Sequence, residues 1–384
     1  MRPPSLSTLF LSFLRLGLTA FGGPAMVAFI KDMTVTRRNW LDEKSFKDGV
    51  ALCQIIPGAT AMQTAAYVGL RAKGIRGALV SFIGFGLPAF ILMLILSALY
   101  DRYHAVPGII SLFNGLQVAV VAIVANATYS FGRSTFKNYK DVLIAIASGM
   151  LFWTGISPFI VIMVTACAGA LIFRNVKTEL LSNKTGSIDR TFFIKLLIVM
   201  LILLSLLIAL YFVDLKLLRL ALLMMKIDLF AFGGGFGSVP LMLHEIVNIR
   251  GWMDSKTFMD GIALGQVTPG PIVITSTFVG YMLYGLPGAI VASAAIFTPS
   301  LFLVILVTPF FDNLRASAYF TAATRGVLAS FVGLLFFVAV KFGVAVPWDI
   351  VRVALAVASF AGLMKKVDIL YVVLIVAVIS VFVF

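Results

Sequence analysis

Two short sets of residues recur along the chain, and each is of a kind that can hold an anion in an apolar setting. The first is a glycine cluster, Gly22-Gly23 followed by Pro24, and then Gly233-Gly234-Gly235. Each glycine costs a helix about 1 kcal/mol relative to alanine. A run of them in an apolar segment therefore predicts an interrupted helix whose freed amides face an anion at the new helix start. Close helix packing through small residues is the competing reading. The second set is Gln54 with Pro57-Gly58, and Gln266 with Pro269-Gly270. Proline removes an amide and glycine permits a sharp reversal, so each set predicts the tip of a hairpin. The glutamine amide one turn earlier offers donors without a charge. Hydroxyls at Thr60, Thr64, Thr268, Thr275 and Ser276 can line the same space or bond back to their own helices.

Charged residues inside apolar sequence form a third group. Arg15 lies seven residues before Gly22 and Lys226 seven before Gly233, while Arg325 stands where the first copy has Asn114. An ionisable group at membrane depth points to substrate or ion handling. Arg15 and Lys226 can equally snorkel to an interface, and Arg325 can begin a helix at the cytoplasmic surface. Asp228 is the candidate coupling residue, as a proton site or as an ion-pair partner of Lys226. Asp48 and Asp260 recur before the glutamines and suit helix N-caps or first turns. His244-Glu245 has no second histidine at zinc-hydrolase spacing, Cys53 and Cys167 are unrelated thiols, and no phosphate loop, nucleophile elbow or dinucleotide fingerprint occurs. The expectation is a protein without catalytic residues, metal or cofactor.

The elements that must carry these residues follow from a duplication. Phe21-Gly22-Gly23, Trp40-Leu41-Asp42 and Gln54-Ile55-Ile56-Pro57-Gly58 return 211 to 212 residues later as Phe232-Gly233-Gly234, Trp252-Met253-Asp254 and Gln266-Val267-Thr268-Pro269-Gly270. Gly74, Gly77 and Pro88 answer to Gly285, Gly288 and Pro299. With 61% hydrophobic and 12% charged residues the 384-residue chain has too little polar surface for a soluble domain, and its mean hydropathy of +1.07 places it in lipid. Apolar stretches of spanning length cover 77–100, 108–131, 192–213, 286–310 and 326–346, with shorter ones at 141–153, 156–173, 350–363 and 367–384. The net charge of +14 reads as cytoplasmic loop charge that sets topology, so nucleic acid is not expected as a partner.

Those basic loops constrain the path. Arg37, Arg38, Lys44 and Lys47 precede the Gln54 segment, and Arg71, Lys73 and Arg76 follow it. Both clusters fall in the cytoplasm only if residues 49 to 70 re-enter rather than cross. The matching loops of the second copy carry only Arg250 and Lys256, as an inverted copy predicts. The reading is an all-α polytopic membrane protein of two homologous inverted-topology repeats with broken, re-entrant helical hairpins. The first repeat covers 1–173, a polar linker with a connecting transmembrane helix 174–213, and the second repeat 214–384. The first element of each copy, 6–30 and 217–241, is either a hairpin or a kinked span, and only the hairpin makes the copies antiparallel.

At these residues the chain resembles the chromate ion transporter family in its long form with two fused halves. The resemblance runs from about Leu9 to the last helices and rests on Phe21-Gly22-Gly23-Pro24, the Trp-x-Asp pairs and Gln-x-x-Pro-Gly in each copy. The first copy reads Pro57-Gly58-Ala59 where the second has Pro269-Gly270-Pro271, which suggests unequal roles for the halves. The resemblance implies multi-pass residence in the plasma (inner) membrane, export of chromate with resulting chromate resistance, and sulfate as the look-alike oxyanion. A homodimer is compatible with it. The alternatives are cation-coupled uptake or exchange of sulfate or another oxyanion and, in a different class, a lipid-phosphate flippase or membrane enzyme.

Overall fold

The structure, a computed structural model, describes residues 4–21, 23–173 and 190–384, so Gly22 and most of the polar linker lie outside the described residues. The first repeat runs α1 (Leu6–Thr19), α2 (Gly23–Lys31, prolonged by a π-helical stretch Asp32–Arg37), α3 (Glu43–Ile55), α4 (Thr60–Tyr103), α5 (Pro107–Thr135), α6 (Tyr139–Trp153) and α7 (Pro158–Ile172). After α8 (Arg190–Val213) the second repeat gives α9 (Leu215–Phe230), α10 (Ser238–Met242, prolonged by a π-helical stretch Leu243–Ile249), α11 (Ser255–Val267) and α12 (Thr275–Val307). It ends with α13 (Phe311–Ala316), α14 (Ala318–Ala345), α15 (Ile350–Met364) and α16 (Ile369–Val383). Among the described residues five helices are long and apolar enough to cross a bilayer. The helix α8 is exposed along nearly its whole length, as a span surrounded by lipid must be.

Both long helices of the repeats reverse inside their apparent length. At Lys73-Gly74 the backbone leaves helical angles, with Gly74 at φ 62° and ψ −156°, and the same happens at Tyr284-Gly285, with Gly285 at φ 61° and ψ −148°. Only glycine adopts that region without strain. The two arms then lie against each other so closely that a Cβ on Gly69 or Gly77 would run into the other's carbonyl oxygen, and the same holds for Gly280 and Gly288. The sequence reading of a hairpin turning at Pro57-Gly58 also holds: a Cβ on Gly49 of α3 would strike the Tyr67 ring of the first arm of α4.

The first element of the second repeat folds back as well. Lys226, on α9 before the glycines, pairs with Glu245 after them at 2.8 Å, and Arg219 shares a pocket with Arg250 and Trp252. At 1.5 Å per residue a straight helix would hold these residues tens of ångströms apart. The break is therefore a hairpin, and parity sets the rest. If by the duplication α1 and α2 fold back in the same way, two re-entrant hairpins return the chain to its starting face; the second arm of α4 and α5 cross and return; α6 and α7 return as a pair. The one crossing of α8 then starts the second repeat from the opposite face, and the repeats are inverted.

The halves interlock rather than sit side by side. The first repeat's α6 and α7 pack on α14, and α15 and α16 pack on α5, while α4 meets α12 and α5 meets α14 across the pseudo-twofold. Small residues permit the approach: a Cβ on Gly326 would press on Gly169 and the Thr165 carbonyl, and one on Gly115 would meet the Ser380 side chain.

Candidate functional site

Each hairpin tip is bonded to the broken helix of the opposite repeat. The Gly58 amide donates to the Ala231 carbonyl at 2.9 Å, and the Gly270 amide donates to the Ala20 carbonyl at 3.2 Å. Both tip glycines have positive φ, 115° and 111°, which explains why the motif ends in glycine in each copy. Two further left-handed residues, Gly233 at φ 82° and Gly234 at φ 80°, make the break in the second repeat. The helix is therefore interrupted in the second repeat, a geometry that close packing alone would not need. A Cβ on Gly234 would stand 3.2 Å from Thr60 Oγ1, and one on Gly235 would stand 3.0 Å from Ile272, so this break lies between both tips.

The starts of α4, of α12 with the turn before it, and of the 235–249 arm thus lie around this crossing. Several carbonyls there are taken. Ala20 and Ala231 accept the tip amides, Pro57 accepts Gln63 Nε2, Gly265 accepts Thr268 Oγ1 at 2.9 Å and Ile272 accepts Thr275 Oγ1 at 2.8 Å. Among the described residues the amides of Gly233 and Gly234 donate to no backbone carbonyl. Amides left without a backbone partner at a helix break have the polarity an anion needs, while the Gln63 Oε1 acceptor at the first tip is also buried without a partner.

The two sides of the crossing are not alike. Asp228 is fully buried, accepting the Ser300 amide at 2.7 Å and the Ser300 hydroxyl at 3.0 Å, and the Ala59 amide in turn donates to Ser300 Oγ at 3.2 Å. A relay of hydrogen bonds links the tip of one repeat to the broken helix of the other. In the mirror position Gly17 and Ala89 stand for Asp228 and Ser300, and Gly17 packs directly on the Phe85 carbonyl. The polar relay exists once, in the second repeat.

The expected cations are dispersed. Arg15 is exposed on α1. Lys226 does not pair with Asp228, which points to another face of α9; it meets Glu245 and the Phe159 ring, 3.8 Å from the centroid. Arg325, expected among the substrate cations, has its guanidinium fork filled: Nε and Nη2 donate to the two oxygens of Asp141 at 2.8 and 2.7 Å, and the group lies over Phe173. That carboxylate also accepts the amides of Lys137 and Asn138 at the start of α6, so Arg325 ties α14 to α6. Of the paired glutamines, Gln54 is exposed, whereas Gln266 keeps a buried Nε2 with no partner among the described residues.

Other roles differ from the sequence expectation. Asp48 and Asp260 are not N-caps; the Trp-x-Asp acids are, with Asp42 accepting the Ser45 amide at 2.8 Å and Asp254 the Thr257 amide at 2.7 Å. Hydrogen bonds from Ser45 hold the Asp42 carboxyl below its ordinary range. The tryptophans of the same motif stack under Arg38 and Arg250, at 5.2 and 5.3 Å. Asp260 is buried instead, accepting Tyr100 Oη and Gln117 Nε2, each at 2.8 Å, from two helices of the other repeat. Gln63, at the first tip, and Ser300 had no recurring motif to mark them.

The family model for chromate transporters matches residues 7–171 and again 218–381. An uncharacterized transporter of Methanocaldococcus jannaschii is 45% identical over 97% of this chain and 92% of its own length. A chromate transport protein of Cupriavidus metallidurans is 31% identical over 94% of this chain and 88% of its own. For a chromate transport protein of Pseudomonas aeruginosa the figures are 30%, 87% and 80%. No solved structure matches the chain.

Proposed function

Since the chain belongs to the chromate transporter family through both of its halves, we propose that it carries chromate out of the cell across the plasma membrane and so confers chromate resistance, with sulfate as a competing analogue. The observation that carries this reading is the crossing of two hairpin tips with the opposite repeats' broken helices, where the Gly233 and Gly234 amides donate to no backbone carbonyl among the described residues and the Gln266 amide keeps a buried donor free. A bare dianion in a medium of low dielectric costs tens of kcal/mol, and oriented amides at helix starts offset that cost without fixed charge close enough to trap the ion. Gly22, Gly23, Gly233, Gly234 and Gly235 supply the breaks. Pro57-Gly58 and Pro269-Gly270 act as positioning tips, because their amides are spent on the opposite repeat.

Direction follows from the membrane field. An interior negative by about 100 mV drives each negative charge outward by about 2.3 kcal/mol, so a dianion leaves downhill without a coupling ion. The test is uptake of labelled chromate into inside-out vesicles under an imposed potential, with sulfate as competitor. Accumulation that follows an interior-positive potential is expected, and flux indifferent to potential and to sulfate would defeat the reading.

Cation-coupled uptake or exchange of sulfate or another oxyanion is the second reading, and one observation favours it: Asp228 is buried and bonded only through Ser300, with no cation beside it among the described residues. Asp228→Asn would then abolish proton-driven exchange. If it spares potential-driven chromate efflux, the export reading stands.

A further inference from the structure

Outside the central crossing, one cluster of charge is built around a cavity. The two arms of the second repeat's first hairpin hold a pocket of about 490 Å³ lined by Arg219, Leu222, Leu223, Lys226, Arg250 and Trp252. Glu245 lies behind it, its side chain 7% exposed, bonded to both Lys226 and Arg250. Arg219 is exposed and pairs with no acid among the described residues. Three cations against one carboxylate leave a surplus of two positive charges, the complement of a tetrahedral dianion.

The duplicated half shows what is particular here. Register between the copies is fixed by their backbone bonds: the Arg38 amide donates to Met33 and the Trp40 amide to Thr34, as the Arg250 amide donates to Glu245 and the Trp252 amide to Ile246. Arg15, Arg38 and Trp40 therefore repeat Lys226, Arg250 and Trp252, but Thr8 stands for Arg219 and Met33 for Glu245. The second half thus carries a further cation on the pocket wall together with a carboxylate bonded to the other two. A carboxylate bonded to two of the cations competes with any anion that enters.

We propose that this pocket is an exit vestibule for the transported oxyanion, and that Glu245 is its built-in competitor, holding Lys226 and Arg250 so that the ion is drawn in by Arg219 and then released. The proposal rests on the oxyanion reading above and adds to it a second, deliberately weak station on the outward half. Net charge draws the ion, and competition shortens its stay; a vestibule without Glu245 would bind tightly and clear slowly. Because Lys226 and Arg250 are 46% and 34% exposed at the side chain, water can solvate them when glutamine replaces Glu245.

The test uses the full-length protein in nanodiscs with labelled sulfate and with chromate as probes. Glu245→Gln is expected to tighten equilibrium binding about tenfold or more and to slow turnover, because one competing charge is removed. Arg219→Gln, an exposed change that leaves packing intact, is expected to weaken binding severalfold and to flatten its dependence on salt. Thermal unfolding of each variant keeps a folding defect from passing as a binding effect; should Glu245→Gln fail to fold, the Arg219→Gln salt profile decides. Wild-type binding that neither substitution alters overturns the vestibule and leaves the oxyanion reading standing. A wild type that binds neither ion overturns both.

Discussion

Gln54 and Gln266 occupy the same motif position, yet only Gln266 has a buried donor without a partner. Losing a hydrogen bond to a charged group costs about 1.5–3 kcal/mol, so Gln266→Ala should lower chromate transport roughly ten- to a hundredfold at normal protein levels. Gln54→Ala should cost much less, as initial rates in vesicles will show. Arg325 makes the opposite case. Removing it leaves the fully buried Asp141 without its ion-pair partner, which costs about 3–5 kcal/mol. Arg325→Ala should therefore lower the unfolding temperature in detergent sharply, with Arg325→Gln plus Asp141→Asn recovering part of it. A variant of normal stability that fails only to bind oxyanion would return Arg325 to the substrate site. The sequence displayed the glycine breaks and both tips because duplication repeats them at fixed spacing. It could not display Asp141 beside Arg325, or Ser300 beside Asp228, because those contacts join residues 184 and 72 positions apart with no counterpart in the other copy.

Among elements, the less legible reversal was the one inside α12. Apolar sequence runs on through its turn, where hydropathy does not tell a long span from a short arm followed by a span, whereas Arg71, Lys73 and Arg76 mark the turn in α4. Gly74 and Gly285 carried the signal as a recurring pair, but its meaning lay in their left-handed angles and in Gly69 and Gly77, or Gly280 and Gly288, meeting across the turn. Two kinds of substitution separate these causes. At Gly285 a side chain has open space but the wrong backbone region, a cost of about 1–3 kcal/mol. At Gly288 a Cβ has no space at all. Gly285→Ala should thus yield folded protein of reduced thermal stability, whereas Gly288→Val should fail to accumulate as a monodisperse species on size-exclusion chromatography. Equal behaviour of the two would show that the arms are not locked as described.

Across the whole molecule, inversion gives paired sites opposite exposure. Cysteines placed near Arg38 and Arg71 should both be shielded from an impermeant external thiol reagent in intact cells, and cysteines near Arg250 and Tyr284 should both react. Arg38 and Arg250 labelling from one side would remove the inversion. The reciprocal bonds, Gly58 to Ala231 and Gly270 to Ala20, have a historical consequence. A half-length ancestor would form both of them as one contact made twice, by pairing with an upside-down copy of itself, and every mutation would strike both partners together. In the first half of the present chain a side chain at the Gly17 position would meet the Phe85 carbonyl. Joining the copies in one chain frees each from the other's mutations. The lone Asp228 and Ser300, and the Arg219 and Glu245 that no residue in the first half answers, are changes that a symmetric ancestor had no means to keep separate.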